Sequence, residues 1–527
     1  MSIFTHVQKR RVQKSTFDLS HQKKLTGKMG TLIPILHAEA LPGDEFKINS
    51  ANLTRMLPML APLMHDVTIY MHYFFVPNRI LWPNWEDFIT GGEDGTAMPN
   101  HPTVQVVGGT YDEDGRLADY LGIPRPPSGG LDVNALPFAG YFKIYNEYYR
   151  DQNNVPEIAD TLSDGDNGSS IQSQSRGLVL NRSWQHDYFT SALPWVQKGP
   201  EATIPLGTLA PIVPNALDRD DWNPQSFFYE GTSGGPAQTP GPVNLRIGGF
   251  TEDSAGTLGG IAPFADPDNA AATSMLAADL TNASASSIND LRRALALQQW
   301  LERNARGGSR YTEHLMSHFG VFAQDARLQR PEYIGGRSQP VQISEVIQTS
   351  ANQDDIQSPA SLYGHGISAG SGGLINYKCS EHGQIYGIMS VMPKTAYSQG
   401  LEKKWLRLDK FDYAFPDFAS LGEQPILNKE VNVEHVKPED TFGYTPRYSE
   451  YKYINDSYHG EFRDSLDFWH LGRKLNSSVA LNQQFINCIP REDIFFVEGQ
   501  AHFQTQIWNQ IKAKRPLPYF GTPKQLV

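Results

Sequence analysis

Cysteine is nearly absent. Cys379 and Cys488 are the only two in 527 residues, too few for a disulfide framework and without the spacing of a metal site. No stretch approaches the ~20 apolar residues of a membrane span, and the opening MSIFTHVQKRR lacks the apolar core of a signal peptide. Synthesis in a reducing cytosol, with no membrane role, is the simplest expectation. Basic residues are the minority charge: 45 Lys and Arg against 57 Asp and Glu give −12, which argues against wrapping nucleic acid with the whole surface. There is no P-loop, no G-x-G-x-x-G at a strand–helix junction, no HExxH and no internal repeat.

Apolar residues at 39% can build a sizeable core, and 46 Gly, 36 Pro and 11% aromatics indicate many turns and broad packed surfaces rather than long helices. Asp66–Val76 alternates Val67, Ile69, Met71, Tyr73 and Phe75 on one face, a strand pattern ended by Pro77 and Asn78. Gln384–Val391 (QIYGIMSV) reads as a β-type segment, and His502–Ile511 as a strand with Phe503, Thr505, Ile507, Asn509 and Ile511 on one face. Leu41–Phe46 places a Pro-Gly-Asp turn between apolar segments. In Pro137–Gln152 the aromatics recur at spacings of three and four, favouring a helix whose stripe serves packing rather than base stacking. Ser287 and Asp290 open a second helix with Ile288, Leu291, Leu295, Leu297 and Leu301 on its apolar face. Segment 199–285 differs: turn-rich, with ten acids against Arg219 and Arg246, it reads as a large solvated insertion. Short strands, long loops and few helices predict a mainly β sandwich or barrel.

Candidate chemistry is thin. Gly366–Gly370 matches G-x-S-x-G around Ser368, but its surroundings read as a polar loop rather than the strained turn after an apolar strand that a nucleophile needs. His314 and His318 share a helical spacing without a third ligand. Asp164–Gly168 offers oxygen ligands, but Ser169 occupies the position where a calcium loop of the EF-hand type has Gly. No catalytic residue, cofactor site or metal site is called.

The ends are basic. Residues 1–28 carry seven Lys and Arg against Asp18, and the chain after Glu498 carries Lys512, Lys514, Arg515 and Lys524 with no acid. Such runs fit solvated tails or termini that face a polyanion.

A collinear set of motifs adds to this reading. His186–Gly199 (HDYFTSALPWVQKG), Phe17–His21 (FDLSH), Val76–Arg79 (VPNR), Trp85–Gly92 (WEDFITGG) and Ile144–Gln152 (IYNEYYRDQ) come first. Ala305–Tyr311 (ARGGSRY), Ser317–Gly320 (SHFG), Asp325–Tyr333 (DARLQRPEY), Leu421–Gln424 (LGEQ), Asn428–Glu430 (NKE), Thr441–Tyr444 (TFGY), Arg447–Tyr448 and Arg515–Gly521 (RPLPYFG) follow. In this order they resemble the major capsid proteins of gokushovirus-type microviruses. Val196 departs slightly, at a position where that family often has Pro, and 199–285 carries no family motif.

The resemblance implies an eight-stranded viral jelly roll with long inserted loops. It implies copies assembled into a T=1 icosahedral shell around circular single-stranded DNA, made in a bacterial cytoplasm and ending in the virion. Implied partners are further copies of the chain, the genome, a small basic DNA-packaging protein, an internal scaffolding protein, a pilot protein and a host receptor. The expected organisation is a basic internal arm over 1–28, a first part of the core over 29–198, a surface protrusion over 199–285, and the remaining core with a basic C-terminal segment over 286–527. Lys9, Arg10, Arg11, Lys14, Lys512, Lys514 and Arg515 are the expected DNA contacts, mainly to phosphate. Tyr188, Phe189, Pro194 and Trp195 are expected to anchor the base of the protrusion or a subunit contact. A lectin-like jelly roll acting alone or in a small oligomer is the alternative, since fold does not fix function; a sizing column separates the two.

Overall fold

The computed structural model describes residues 12–106, 115–124, 130–168, 179–200, 202, 212–214, 276–278, 288–308, 310–347 and 362–520. Ten strands build its sandwich: β1 (Ser15–Asp18), β2 (His21–Gly27), β3 (Ile33–Ala40), β4 (Glu45–Met56), β5 (Val67–Pro77), β6 (Glu332–Pro340), β7 (Gln342–Ile347), β8 (Leu362–Lys378), β9 (Gly383–Pro393) and β10 (Phe503–Arg515). Sheet one runs β1–β10–β4–β8–β7, with β2 also on β10, and sheet two runs β6–β5–β9–β3. Every pairing in the two sheets is antiparallel. Within them, β2, β10, β4 and β8 stand opposite β3, β9, β5 and β6, the double Greek-key order of a jelly roll. Ten strands thus stand where eight were expected: β1 continues β2 along the same edge of β10, and β7 adds an edge strand beside β8.

One core fills the space between the sheets. Phe46 and Ile48 of β4 and Phe503, Ile507 and Ile511 of β10 meet Ile33 and Ile35 of β3, Ile69, Met71 and Phe75 of β5, and Ile385 and Met389 of β9. Asn509 inside it is bonded, as burial requires: it accepts from Ser50 Oγ at 2.7 Å and donates to the Ile35 carbonyl at 3.1 Å. The turn at Pro42–Gly43 joins β3 to β4 with Gly43 at φ +90°, a conformation that favours glycine.

The two sheets differ on their other faces. The aromatic segment forms α1 (Leu136–Ile144), continuing as a π-helical turn over Tyr145–Tyr149, and its stripe is core. Tyr386 of β9 donates to the Pro137 carbonyl at 3.0 Å. Gly140 lets the helix come this close, because a Cβ there would lie 2.2 Å from Tyr386 Oη. Phe74 packs on Tyr148 at 4.8 Å, and His72 donates to or accepts from Tyr149 Oη at 2.8 Å. The middle of sheet two is therefore covered on both sides, and β9 is buried along its whole length, while edge strand β6 keeps exposed residues. In β10, by contrast, buried and exposed residues alternate strictly from Phe503 to Lys514.

Two long connections supply the rest of the chain, 78–331 between β5 and β6 and 394–502 between β9 and β10. They leave opposite ends of sheet two, since Pro77 pairs with Gly383 and Val67 with Pro393. Contacts divide the chain into two compact units, Met1–Lys198 with Glu302–Val527 and Gly199–Leu301. Segment 199–285 lies almost wholly outside the described residues; within it, Ile212–Pro214 pairs with Leu276–Ala278. The helix expected after Ser287 runs over Ile288–Gly307, its cap position being outside the described residues.

One expectation fails outright. Gly366–Gly370 lies inside β8, paired with β4 and β7, not in a loop. Small residues carry no hydrophobic rhythm, so backbone pairing alone makes this strand. Ser368 is buried, donating to the Pro340 carbonyl at 2.8 Å and accepting from Gln339 at 2.6 Å.

Phe75 is fully buried between the sheets, with its ring 5.2 Å from that of Tyr377. Phe75→Ala is expected to lower stability by about 3–5 kcal/mol, and Phe75→Leu by clearly less, measured by thermal unfolding of purified subunits.

Candidate nucleic-acid interface

Among the described residues, no layer lies over the face of sheet one turned away from the core. Strand alternation sends Gln504, Gln506, Trp508, Gln510, Lys512 and Lys514 of β10 outward. Register sets Arg55 beside Gln504, Leu53 beside Gln506, Ala51 beside Trp508, Asn49 beside Gln510 and Lys47 beside Lys512 on β4. On the other side of β10, Gln22 stands beside Trp508 and Lys24 beside Gln506. Asp18 of β1 pairs with Lys512. The result is an amide-rich, cationic surface with one indole, 49% exposed, near its middle.

Its charges fall into two groups. Lys14 and Lys514 both reach Glu45, at 3.1 and 3.6 Å; these two cations hold the Glu45 carboxyl below its ordinary range. Arg515 lies 3.4 Å from buried Asp44 and donates to the Glu39 carbonyl at 2.7 Å. Lys24, Lys47 and Arg55, in contrast, make no ion pair with any described residue. Lys23, next to Lys24, alternates inward and donates to the Pro34 carbonyl at 2.8 Å; burial pushes its ammonium down to about 8.

The expected DNA-contact residues are thus spread unevenly. Lys9, Arg10 and Arg11 lie outside the described residues. Lys512 stands on the uncovered face, whereas Lys14, Lys514 and Arg515 have carboxylates of their own. Lys24 belongs to the basic run 1–28 without being one of the named contacts, and Lys47, Arg55 and Trp508 are not marked by the sequence pattern. The available signal was a tryptophan on the polar side of an alternating strand.

The HDYFTSALPW stretch lies elsewhere and does something different. Tyr188, Phe189 and Ala192 form a second core with Tyr397, Ile426, Val431, Phe442 and Phe485 of the 394–502 connection. Buried Asp187 organises it: Oδ1 accepts from the Phe189 and Thr190 amides at 2.8 and 2.7 Å, and Oδ2 from Thr395 Oγ1 and Tyr397 Oη, both at 2.7 Å. Leu193 bonds both ways to Tyr444, at 2.8 Å, on the small ribbon of Glu423–Leu427 with Thr441–Pro446. The two long connections are stitched together here. Pro194 is exposed and Trp195 half-buried. Tyr188 Oη donates to Glu430 at 3.2 Å, the Leu427 amide donates to the same carboxylate at 3.0 Å, and Lys403 stands 3.7 Å away.

Other candidates have plain structural partners. Asp164 accepts from Trp82 Nε1 at 2.7 Å and from Asn84 at 3.0 Å. His314 and His318 lie 4.4 Å apart on the helix Tyr311–Phe319. No group of three or more His, Cys, Asp or Glu among the described residues could hold a metal ion. Both cysteines are buried and free, and burial pushes the Cys379 thiol up to about 12. No helix among the described residues is long and apolar enough to cross a membrane.

Known proteins match along the whole length. The family described as capsid protein (F protein) matches residues 5–525. Capsid protein VP1 of Bdellovibrio phage phiMH2K is 36% identical over 97% of this chain and 95% of its own. Capsid protein VP1 of Chlamydia phage 1 is 32% identical, over 99% and 97%. Capsid protein VP1 of Spiroplasma virus 4 is also 32% identical, over 97% and 95%.

Burial raises the Glu430 carboxyl above its ordinary value more than Lys403 lowers it. A carboxyl raised in the fold favours the protonated native state, so its stabilising share is full below the unfolded value of about 4.3 and is lost as pH rises through the folded one. Glu430→Gln is therefore expected to unfold at a higher temperature than the parent at pH 7, with the difference vanishing near pH 4. A lower Tm for the variant at pH 7 would count against this electrostatic reading.

Proposed function

Since the chain belongs to the phage capsid protein (F protein) family, as a major capsid protein of the gokushovirus type, we propose that its copies close into a T=1 icosahedral shell around a circular single-stranded DNA genome, with the uncovered face of sheet one turned toward the DNA. As a capsid protein it is a structural component of the virion and assembles into a multi-subunit shell. We assign it no catalytic role. Its synthesis is placed in the bacterial host cytoplasm.

The observation that carries the DNA-facing assignment is the trio Lys24, Lys47 and Arg55. A chain of net charge −12 has carboxylates to spare, yet none is within pairing distance of these three among the described residues. Phosphates are the counterions that a genome would bring, and such contacts fix the strand without reading its sequence. Lys9, Arg10 and Arg11 precede β1 in the sequence, and β1 belongs to the same sheet, paired with Lys512–Arg515 of β10.

Contact between copies has support of its own. Residues 403–421 form three short 3-10 turns with almost nothing buried. Trp405 is 67% exposed, Leu408 94% and Leu421 62%, and nearby Ile454 is 81% exposed. Arg407 ties this strap to the 449–454 region, bonding Glu450 at 3.2 Å and lying over the Tyr451 ring at 4.1 Å. Aromatic and Arg-rich apolar surface of this kind is what subunit interfaces bury. Segment 199–285 is assigned to a protrusion that meets the host receptor, since loops on a rigid scaffold carry variable function. A small basic DNA-packaging protein, an internal scaffolding protein and a pilot protein are the further partners assigned.

The test is a triple variant, Lys24→Glu with Lys47→Glu and Arg55→Glu, in the full-length protein. Particles are expected to form but to hold less DNA. For free subunits on single-stranded DNA, the slope of log affinity against log salt should shrink by about 0.7 per lost contact, or about two in all. Full genome content with an unchanged slope would refute the assignment of this face. In the same preparations Leu408→Asp is expected to leave folded subunits that do not assemble.

A further inference from the structure

We propose that Trp508 is a base-stacking residue, so that the uncovered face of sheet one holds the bases of single-stranded DNA as well as its phosphates. The inference rests on the DNA-facing reading above and adds to it a named residue and a second mode of contact.

A tryptophan on the solvent side of a sheet is usually shielded by its neighbours. Trp508 is not. Its cross-strand neighbours are Gln22 on β2 and Ala51 on β4, and Ser371 of β8 stands next to Ala51. Small residues on that side leave the indole 49% exposed. Among the described residues no aromatic ring or cation lies against it and its Nε1 makes no hydrogen bond. The apolar face of the largest side chain on this surface is left for something outside the chain.

The surroundings say what that is. Along β10, four residues to one side of Trp508 lies the row of Gln504 with Arg55, and four residues to the other side lies the row of Lys512 with Lys47. Each row is about 13 Å from the indole, and Lys24 stands diagonally between, beside Gln506. A strand laid along β10 meets a cation, an aromatic ring and another cation in turn. This is the pairing of charge with stacking platform that binds single strands without sequence preference. The nearby amides fit the same use: Gln506 donates to Gln22 at 3.0 Å and Asn49 to Gln510 at 3.1 Å, which leaves further amide donors and acceptors for base edges. A basic polypeptide is a poor occupant, because Glu45 already carries Lys14 and Lys514, and Asp18 lies beside Lys512. The lone exposed apolar neighbour toward β4, Leu53, is too small a patch to seat a folded partner.

The test uses full-length subunits, a 20-residue oligo(dT) and an abasic oligonucleotide of equal length, with affinities measured over a series of salt concentrations. Trp508→Ala is expected to weaken oligo(dT) binding by about 5- to 100-fold, to leave the abasic affinity nearly unchanged, and to leave the salt slope as it was. Trp508→Phe should recover most of the loss, and both variants should unfold at the parent temperature, since the side chain is half in solvent. Oligo(dT) binding by Trp508→Ala equal to the parent's would overturn the stacking role while leaving the phosphate-binding face intact. Absence of binding by the parent itself would sink that face and the stacking role together. If oligo(dT) affinity is unchanged and genome-free particles of Trp508→Ala fall apart, the indole is a protein contact instead.

Discussion

Strand β9 is buried along its whole length because helix α1 rests on it, with Tyr386 Oη bonded to the Pro137 carbonyl and Gly140 set against the phenol ring. That contact closes the outer side of β9. The first connection then continues across the same side: Tyr148 and Tyr149 pack on Phe74 and His72, and Arg182 lies over Tyr70 at 4.6 Å. With the central strand β9 buried on both faces, the apolar surface of the sandwich lies in the core and under this layer, and sheet one needs no cover. Its polar outer side is free for function. A sandwich with both outer faces covered would have no such surface to offer.

The same connection also reaches the second one. Asp187 gathers two backbone amides from its own loop and two hydroxyls from the 395–397 stretch, so a single buried carboxylate fixes the chain after β5 to the chain after β9. Buried charged acceptors are tolerable when every lone pair is used. Around it Phe189 packs on Tyr397 and Phe442 in edge-to-face contacts. Residues 187–193 of the first excursion and the 394–502 connection, which leave opposite ends of sheet two, are thus tied to each other within the unit that holds the sandwich. A subunit that bears load from its neighbours in a shell needs that rigidity.

Much of the fold was legible from periodicity. The alternation in 66–76 and 502–511 located β5 and β10, the β-type run 384–391 located β9, and the three-and-four spacing of aromatics located α1. Strand β8 was missed because Gly, Ser and Ala give no apolar rhythm, and its identity comes from pairing with β4 and β7. The signature HDYFTSALPW marked a real structural node, but its partners at 395–397, 426 and 442 are far away in sequence and no local pattern reveals them. The candidate site was half legible. Basic ends were visible as runs of charge, yet Lys14, Lys514 and Arg515 turn out to stand on Glu45 and Asp44, which only strand register brings near. Lys24, Lys47, Arg55 and Trp508 converge through three strands, and which sheet keeps a bare face is a tertiary fact.

The most direct test is a reconstruction of genome-filled particles at a resolution that places strands. The expected result has the outer face of sheet one, with Trp508 at its middle, lining the interior and touching the DNA density. A shell in which that face points to the exterior, or lies sealed between subunits with the DNA against another surface, would contradict it.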